Sequence, residues 1–151
     1  MLEIGPGSGR NTRALEAGGL TVVGLEAPHA DGALSTHALL HGTSREVAAL
    51  LREIGDRLSP GAPLFATFGS VRDSRFAAGR MVEPFVYAPE GGDEAGVAHT
   101  FFDDVRLRRL LEGWIVESAR EVCVDEIAGT WAHSRPLSGA VHWFVIAVKR
   151  P

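Results

Sequence analysis

Near the start of the chain, Glu3-Ile4-Gly5-Pro6-Gly7-Ser8-Gly9 sets glycines at every second position behind a short apolar run. Glycines so spaced let a backbone turn sharply and let a ligand approach main-chain atoms with no Cβ in the way. Three kinds of nucleotide-binding loop compete for this pattern. A phosphate-gripping loop ends in Gly-Lys-Ser/Thr, whereas Gly9 is followed here by Arg10-Asn11. A dinucleotide fingerprint, GxGxxG, would place its third glycine at Arg10 and fits poorly, which disfavours a nucleotide-dependent oxidoreductase. The pattern acid-x-Gly-x-Gly-x-Gly suits a loop that holds a ligand without phosphates. Glu26 lies about 17 residues past the loop, near the usual offset of a ribose-binding carboxylate, which accepts from both ribose hydroxyls.

Such a loop must be delivered by a strand and followed by a helix. Met1 to Ile4 reads as that strand, and a helix is expected from about Asn11 to Ala17, stopping at Gly18-Gly19. Leu20 to Leu25 is rich in β-branched residues and reads as a second strand that ends on Glu26. Leu34 to Leu40 is a further strand-and-turn segment. Thr43 and Glu46 form a capping box, and Val47, Leu51, Ile54 and Leu58 then share one helix face. Ser59-Pro60-Gly61 ends that helix, and Leu64 to Phe68 reads as the next strand. Residues 71–100 hold Gly and Pro pairs with little periodicity, so they read as a long irregular excursion of the kind used as substrate lids. Another helix starts near Asp103, with Leu107, Leu110, Leu111 and Trp114 as its buried stripe. Ile115 to Val124 and Val141 to Lys149 read as two strands joined by a loop carrying Trp131, His133 and Pro136. Strands alternating with helices imply one α/β domain over residues 1–151, with a mostly parallel sheet.

With these elements in place, the sequence resembles a known family. LEIGPGSGRNT looks like the first motif of class I S-adenosylmethionine-dependent methyltransferases, and VVGLEAP resembles their second-strand motif. LSTHALLHGT, the helix with LSPGAPLFATFGS and the two late strands follow in the family's order. A weaker resemblance within the family is to its tellurite-resistance-like branch. The resemblance implies a Rossmann-like fold with an antiparallel last strand, reduced relative to the family's seven strands, and S-adenosylmethionine as cofactor. It implies that Gly5, Gly7 and Gly9 line the methionine part, that Glu3 anchors the loop, and that Glu26 holds the ribose. Ser35, Thr36 and His37 would lie beside the sulfonium and the substrate entrance. Two departures stand out: the chain reads as shortened at its N-terminus and again after the second strand. Only Ala27 to Ala33 occupy the place of a helix, a third strand and another helix. Some seven extended residues span roughly 23 Å, barely enough to return along one strand. The apolar side chains of Leu20, Val22, Val23 and Leu25 should then be partly uncovered, and either a homodimer that buries this sheet face or an unstable monomer with weak cofactor affinity is expected.

Methyl transfer asks for an in-line nucleophile, exclusion of water and sometimes removal of a proton. Six histidines are candidate bases, since an unperturbed imidazole titrates near neutrality. His133 with Arg135 is the first choice, with a histidine followed by basic residues being similar to the tellurite-resistance branch; a polar loop role is the alternative. His99 is the second, with a hydrogen bond that fixes the lid as its alternative. His37 and His41 are four apart, but no neighbouring carboxylate completes a set, so no metal site is expected. Trp131 and Trp143 read as core residues, and Cys123 as a buried small hydrophobe.

Composition bounds what remains. The 151 residues are 45% apolar and 23% charged, the balance of an ordinary globular domain. Fifteen Lys and Arg against 19 Asp and Glu give a net charge of -4, so no basic face draws nucleic acid. The longest apolar stretch, Val141 to Val148, is far short of the roughly 20 residues that span a bilayer. One cysteine excludes an internal disulfide, and without a basic start or apolar h-region the expectation is cytoplasmic. The expected activity is methyl transfer to a small-molecule acceptor, with a degenerate, non-catalytic binding module as the alternative.

Overall fold

A computed structural model describes residues 1–6, 9–27, 29–124 and 138–151. Strands β1 (Leu2–Ile4), β2 (Ala33–Ser35) and β3 (Pro63–Ser70) lie side by side and parallel. The long strand β8 (Val141–Lys149) runs antiparallel to β3, and β7 (Trp114–Cys123) runs antiparallel to β8. This is the expected Rossmann-like sheet with an antiparallel last strand. Beyond the end of β2, the last two residues of β3 pair instead with β6 (His99–Phe102), Gly69 facing Phe101 and Ser70 facing Phe102. β6 carries two further antiparallel strands, β5 (Val86–Ala88) and β4 (Arg80–Glu83). That small sheet extends past the carboxyl end of β2, over the place where ligands bind in parallel α/β sheets.

Helices α2 (Ser44–Arg57) and α3 (Asp104–Leu110) cover one face. Their stripes, Val47, Leu51 and Ile54 with Leu107 and Leu111, bury against Leu2, Ile4, Leu64 and Phe68 of the sheet. Each such side chain removed from water contributes about 1.5–3 kcal/mol. α2 begins as its sequence requires: the Thr43 hydroxyl accepts from the Glu46 N–H, and the Glu46 carboxylate accepts from the Thr43 N–H at 2.7 Å. Thr43→Ala should therefore lower stability by about 1 kcal/mol, read as a shift in the denaturant midpoint with an unchanged m-value.

The opposite face carries only α1 (Arg10–Ala17) among the described residues, and α1 buries none of its side chains. Phe65 and Ile146, paired across β3 and β8, remain 38% and 37% exposed there. They line an open cleft of about 610 Å³ with Leu34, Thr36, Thr67 and Phe144.

Three expectations change. Leu20 to Leu25 does not form a strand: only Val23 pairs, with Leu2, through bonds to the backbones of Met1 and Glu3. β-branched residues favour extension, but a strand needs a neighbour, and β1 offers only three residues. Leu20 is 44% exposed, whereas Val23 and Leu25 pack on the core, so the segment is less bare than its short link suggested. The link itself is pinned beneath the end of α2. Ala30 donates to the Arg57 carbonyl and accepts from the Ser59 N–H, and Arg57 Nη1 reaches the Ala27 carbonyl at 3.1 Å. Second, residues 71–100 are irregular only in part: turns and bends fill most of the segment, but β4 and β5 form a hairpin tied to β6. Phe76 touches Phe85, Tyr87 and Phe101 beneath it, ring centroids 5.3–5.8 Å apart, which supplies a small core. Third, Cys123 is only partly buried.

Candidate functional site

The loop after β1 turns for stated reasons. Gly5 has φ +68°, and a Cβ there would lie 2.6 Å from the Ala38 Cβ, so the loop is pressed against the segment that leaves β2. Gly9, at φ +72°, caps α1 in the left-handed region, and its N–H closes a turn onto the Pro6 carbonyl. Gly7 lies outside the described residues. The loop's acid, Glu3, points to the α1 face because Leu2 and Ile4 alternate into the core. There its Oε2 accepts a short hydrogen bond from the Thr12 hydroxyl. Glu3 is 5% exposed, and its Oε1 has no hydrogen-bond partner among the described residues.

Glu3 and Glu26 line one cavity of about 470 Å³ with Pro6, Thr12 and Gly24. A buried carboxylate oxygen with no donor among the described residues, at the wall of a cavity, suits a donor from a ligand, and an ammonium group supplies one. Glu26 is exposed at the far side, where hydroxyls are suitable partners. This pair of acceptors fits an ammonium group and ribose hydroxyls, both of which S-adenosylmethionine carries.

The end of β2 is tied to this cavity and to the neighbouring strand. Asn11 Nδ2 donates to the Thr36 hydroxyl at 2.7 Å, and the His37 N–H donates to the Thr67 hydroxyl at 2.8 Å. Ser35 is fully buried beside them. His37 takes a positive φ of 59°, which turns the chain away from the sheet. Its ring stacks on His142, centroids 5.1 Å apart, and meets the edge of His41 at 5.6 Å.

Glu94, from the connection between β5 and β6, enters this group of rings. Its Oε1 lies 3.3 Å from His41 Nε2 and 3.9 Å from His37 Nε2, and its Oε2 lies 3.1 Å from His99 Nε2. Hydrogen bonds from His41 and His99 hold the Glu94 carboxyl well below the usual carboxylate range, against the opposing effect of burial. Behind His142 stands a buried ion pair: Arg75 reaches Asp73 through Nε and Nη2 at 2.8 and 2.9 Å. The same Nη2 lies 3.1 Å from His142 Nε2. Asp73 Oδ2 also accepts from the Val141 N–H at 2.9 Å.

The structure thus places Glu3 and Glu26 in the lining of one cavity, with Gly5 and Gly9 in the adjoining loop but outside that lining, Thr36 held to α1 by Asn11, and His37 set back toward the connection between β5 and β6. His99 spends both ring nitrogens on the connection between β5 and β6, Nδ1 on the Val97 carbonyl at 2.8 Å and Nε2 on Glu94. His133, Arg135 and Trp131 lie outside the described residues. Trp143 is half-buried and donates from Nε1 to the Phe102 carbonyl at 2.9 Å. Sequence reading missed Glu94, Asp73 and Arg75, and had His142 only as one of six candidate bases. The carboxylate it found lacking beside His37 and His41 is Glu94, 53 residues beyond His41 in a Gly- and acid-rich tract that reads as a solvated turn.

No protein-family profile matches this sequence, and no curated protein does. Solved structures do match it. A methyltransferase described as S-adenosylmethionine-dependent, from Methanosarcina mazei, superposes with a TM-score of 0.72 at 16% identity, over 99% of this chain and 91% of that one. The 1,6-didemethyltoxoflavin-N1-methyltransferase of Burkholderia thailandensis, solved with 1,6-didemethyltoxoflavin and S-adenosylhomocysteine bound, gives 0.69 at 19% identity, over 99% and 70%. TehB from Haemophilus influenzae gives 0.51 at 12% identity, over 92% and 45%. The chain has the class I methyltransferase fold.

Proposed function

We propose that this chain is an S-adenosylmethionine-dependent methyltransferase acting on a small-molecule acceptor. The observation that carries the reading is the buried Glu3, with one oxygen lacking a donor among the described residues, in the same cavity as Glu26. That cavity lies beside the carboxyl end of β1, at the loop that leaves it. When bound, the cofactor supplies a methyl group already activated on a cationic sulfur. The protein's task is to bind, to orient and to exclude water.

In this reading Glu3 receives the ammonium end, Gly5, Gly7 and Gly9 give the loop its approach to the methionine part, and Glu26 accepts from the ribose hydroxyls. Ser35, Thr36 and His37 form the wall beside the sulfonium. The sheet of β4, β5 and β6 closes the acceptor side, which shields the transfer from water. If the acceptor must lose a proton, His133 beside Arg135 is the assigned base, because His99 is committed to the lid. One observation favours a binding module instead, the uncovered apolar cleft at Phe65 and Ile146. Transfer of label from methyl-labelled cofactor to a small molecule separates the two readings.

The role of Glu26 has its own test. A hydrogen bond to a charged group is worth about 1.5–3 kcal/mol, so Glu26→Ala should weaken S-adenosylhomocysteine binding at least about tenfold. A 2′,3′-dideoxy analogue should lose little further in that variant. Full additivity of the two losses, measured by calorimetry, would place Glu26 away from the ribose.

A further inference from the structure

We propose that His37, His41 and Glu94 form a binding site for a single divalent transition-metal ion, with zinc the best fit. His37 Nε2, His41 Nε2 and a Glu94 carboxylate oxygen all lie within 4.8 Å of one another. Two ligands about 2.0–2.1 Å from a tetrahedral zinc ion stand about 3.4 Å apart. The observed 3.3 Å from His41 to Glu94 is already that spacing, and the 3.9 Å from His37 to Glu94 exceeds it by half an ångström. Two imidazoles and one carboxylate, with no thiolate, suit zinc and its neighbours in the first transition row rather than magnesium or calcium. Three protein ligands leave a fourth position open, the arrangement of reactive rather than purely structural zinc sites.

Two further features are those of a built site. Metal-binding carboxylates are oriented by hydrogen-bonded partners behind them. Here His99, 2% exposed, meets the second Glu94 oxygen, while the Val97 carbonyl fixes the ring through Nδ1. The two segments that supply the ligands are also held together independently of any ion. The Thr100 N–H donates to the Leu40 carbonyl and the Gly42 N–H to the Ala98 carbonyl, both at 2.7 Å, and the Thr100 hydroxyl donates to the Gly42 carbonyl. The ligands are thus presented on a preformed frame, which lowers the ordering cost of binding. An ion there would fasten the lid segment, through Glu94, to the turn that leaves β2. The proposal does not depend on the cofactor reading.

The test uses the untagged full chain, stripped with a chelator and dialysed, then titrated with Zn²⁺ by calorimetry and with Co²⁺ by visible absorption. One equivalent should bind, and Co²⁺ should develop the d–d bands of a low-coordinate site. Glu94→Gln and His41→Ala should each weaken binding more than about 100-fold, beyond the about 10–100-fold expected for losing an outer partner such as His99. His29→Ala, at an exposed position outside the group, should change nothing. If His41→Ala does not fold, Glu94→Gln, on a partly exposed connection, carries the result. Absence of one-equivalent binding of either ion, or binding unaffected by Glu94→Gln, would overturn the proposal.

Discussion

Glu3→Gln should raise the dissociation constant for S-adenosylhomocysteine about 10- to 150-fold while leaving the melting temperature nearly unchanged. The amide keeps an acceptor for the Thr12 hydroxyl, so the tie between β1 and α1 survives. What it removes is the charge on a side chain buried at the cavity wall. A charge-assisted hydrogen bond there is worth about 1.5–3 kcal/mol, which sets the expected range. The nearly constant melting temperature distinguishes a binding role from a structural one. A large loss of stability with unchanged binding would mean that Glu3 serves the strand–helix turn alone.

The second large effect concerns the fold behind the site. Asp73→Ala should destabilise the protein by about 3–5 kcal/mol, the cost of leaving a partly buried guanidinium without its carboxylate. Arg75, 24% exposed, would lose its three bonds to the Asp73 carboxylate, two from the guanidinium and one from its backbone N–H, and the Val141 N–H at the start of β8 would lose its acceptor. Domains of this size are held by about 5–15 kcal/mol in total, so the variant should sit near the edge of folding. The pH dependence has a definite sign. Burial opposes ionisation of Asp73, but the hydrogen bonds and charge of Arg75 outweigh it and hold the carboxyl below its ordinary range. A depressed carboxyl contributes stability that is fully present above its unfolded value, about 3.9, and is lost as pH falls through the lower folded value. Urea melts should show a constant difference between wild type and variant from neutrality to about pH 4, shrinking below it. A difference that grew on acidification would contradict this account.

What the sequence made legible was local. The Thr43–Glu46 box and the Val47, Leu51, Ile54 stripe were readable because every partner lies within four residues along one helix. Gly5, Gly9, Glu3 and Glu26 were readable because a strand, a turn and a helix carry them in fixed order. The segment at Leu20 to Leu25 misled, since β propensity reports the residues and not the neighbour a strand requires. The hairpin of β4 and β5 was hidden for a related reason: each strand has three or four residues, and β4 is mostly exposed, so no alternation marks it. Non-local convergence was beyond reach altogether. Nothing near His37 in sequence announces Glu94 or His142, which arrive only when β6 and β8 pair with the end of β3.

The central claim is that the cavity between Glu3 and Glu26 binds the methyl donor, and one measurement bears on it directly. Calorimetric titration of the wild-type chain with S-adenosylhomocysteine should show one site of micromolar affinity. A well-folded sample, checked by circular dichroism, that takes up no S-adenosylhomocysteine at millimolar concentration would contradict the account.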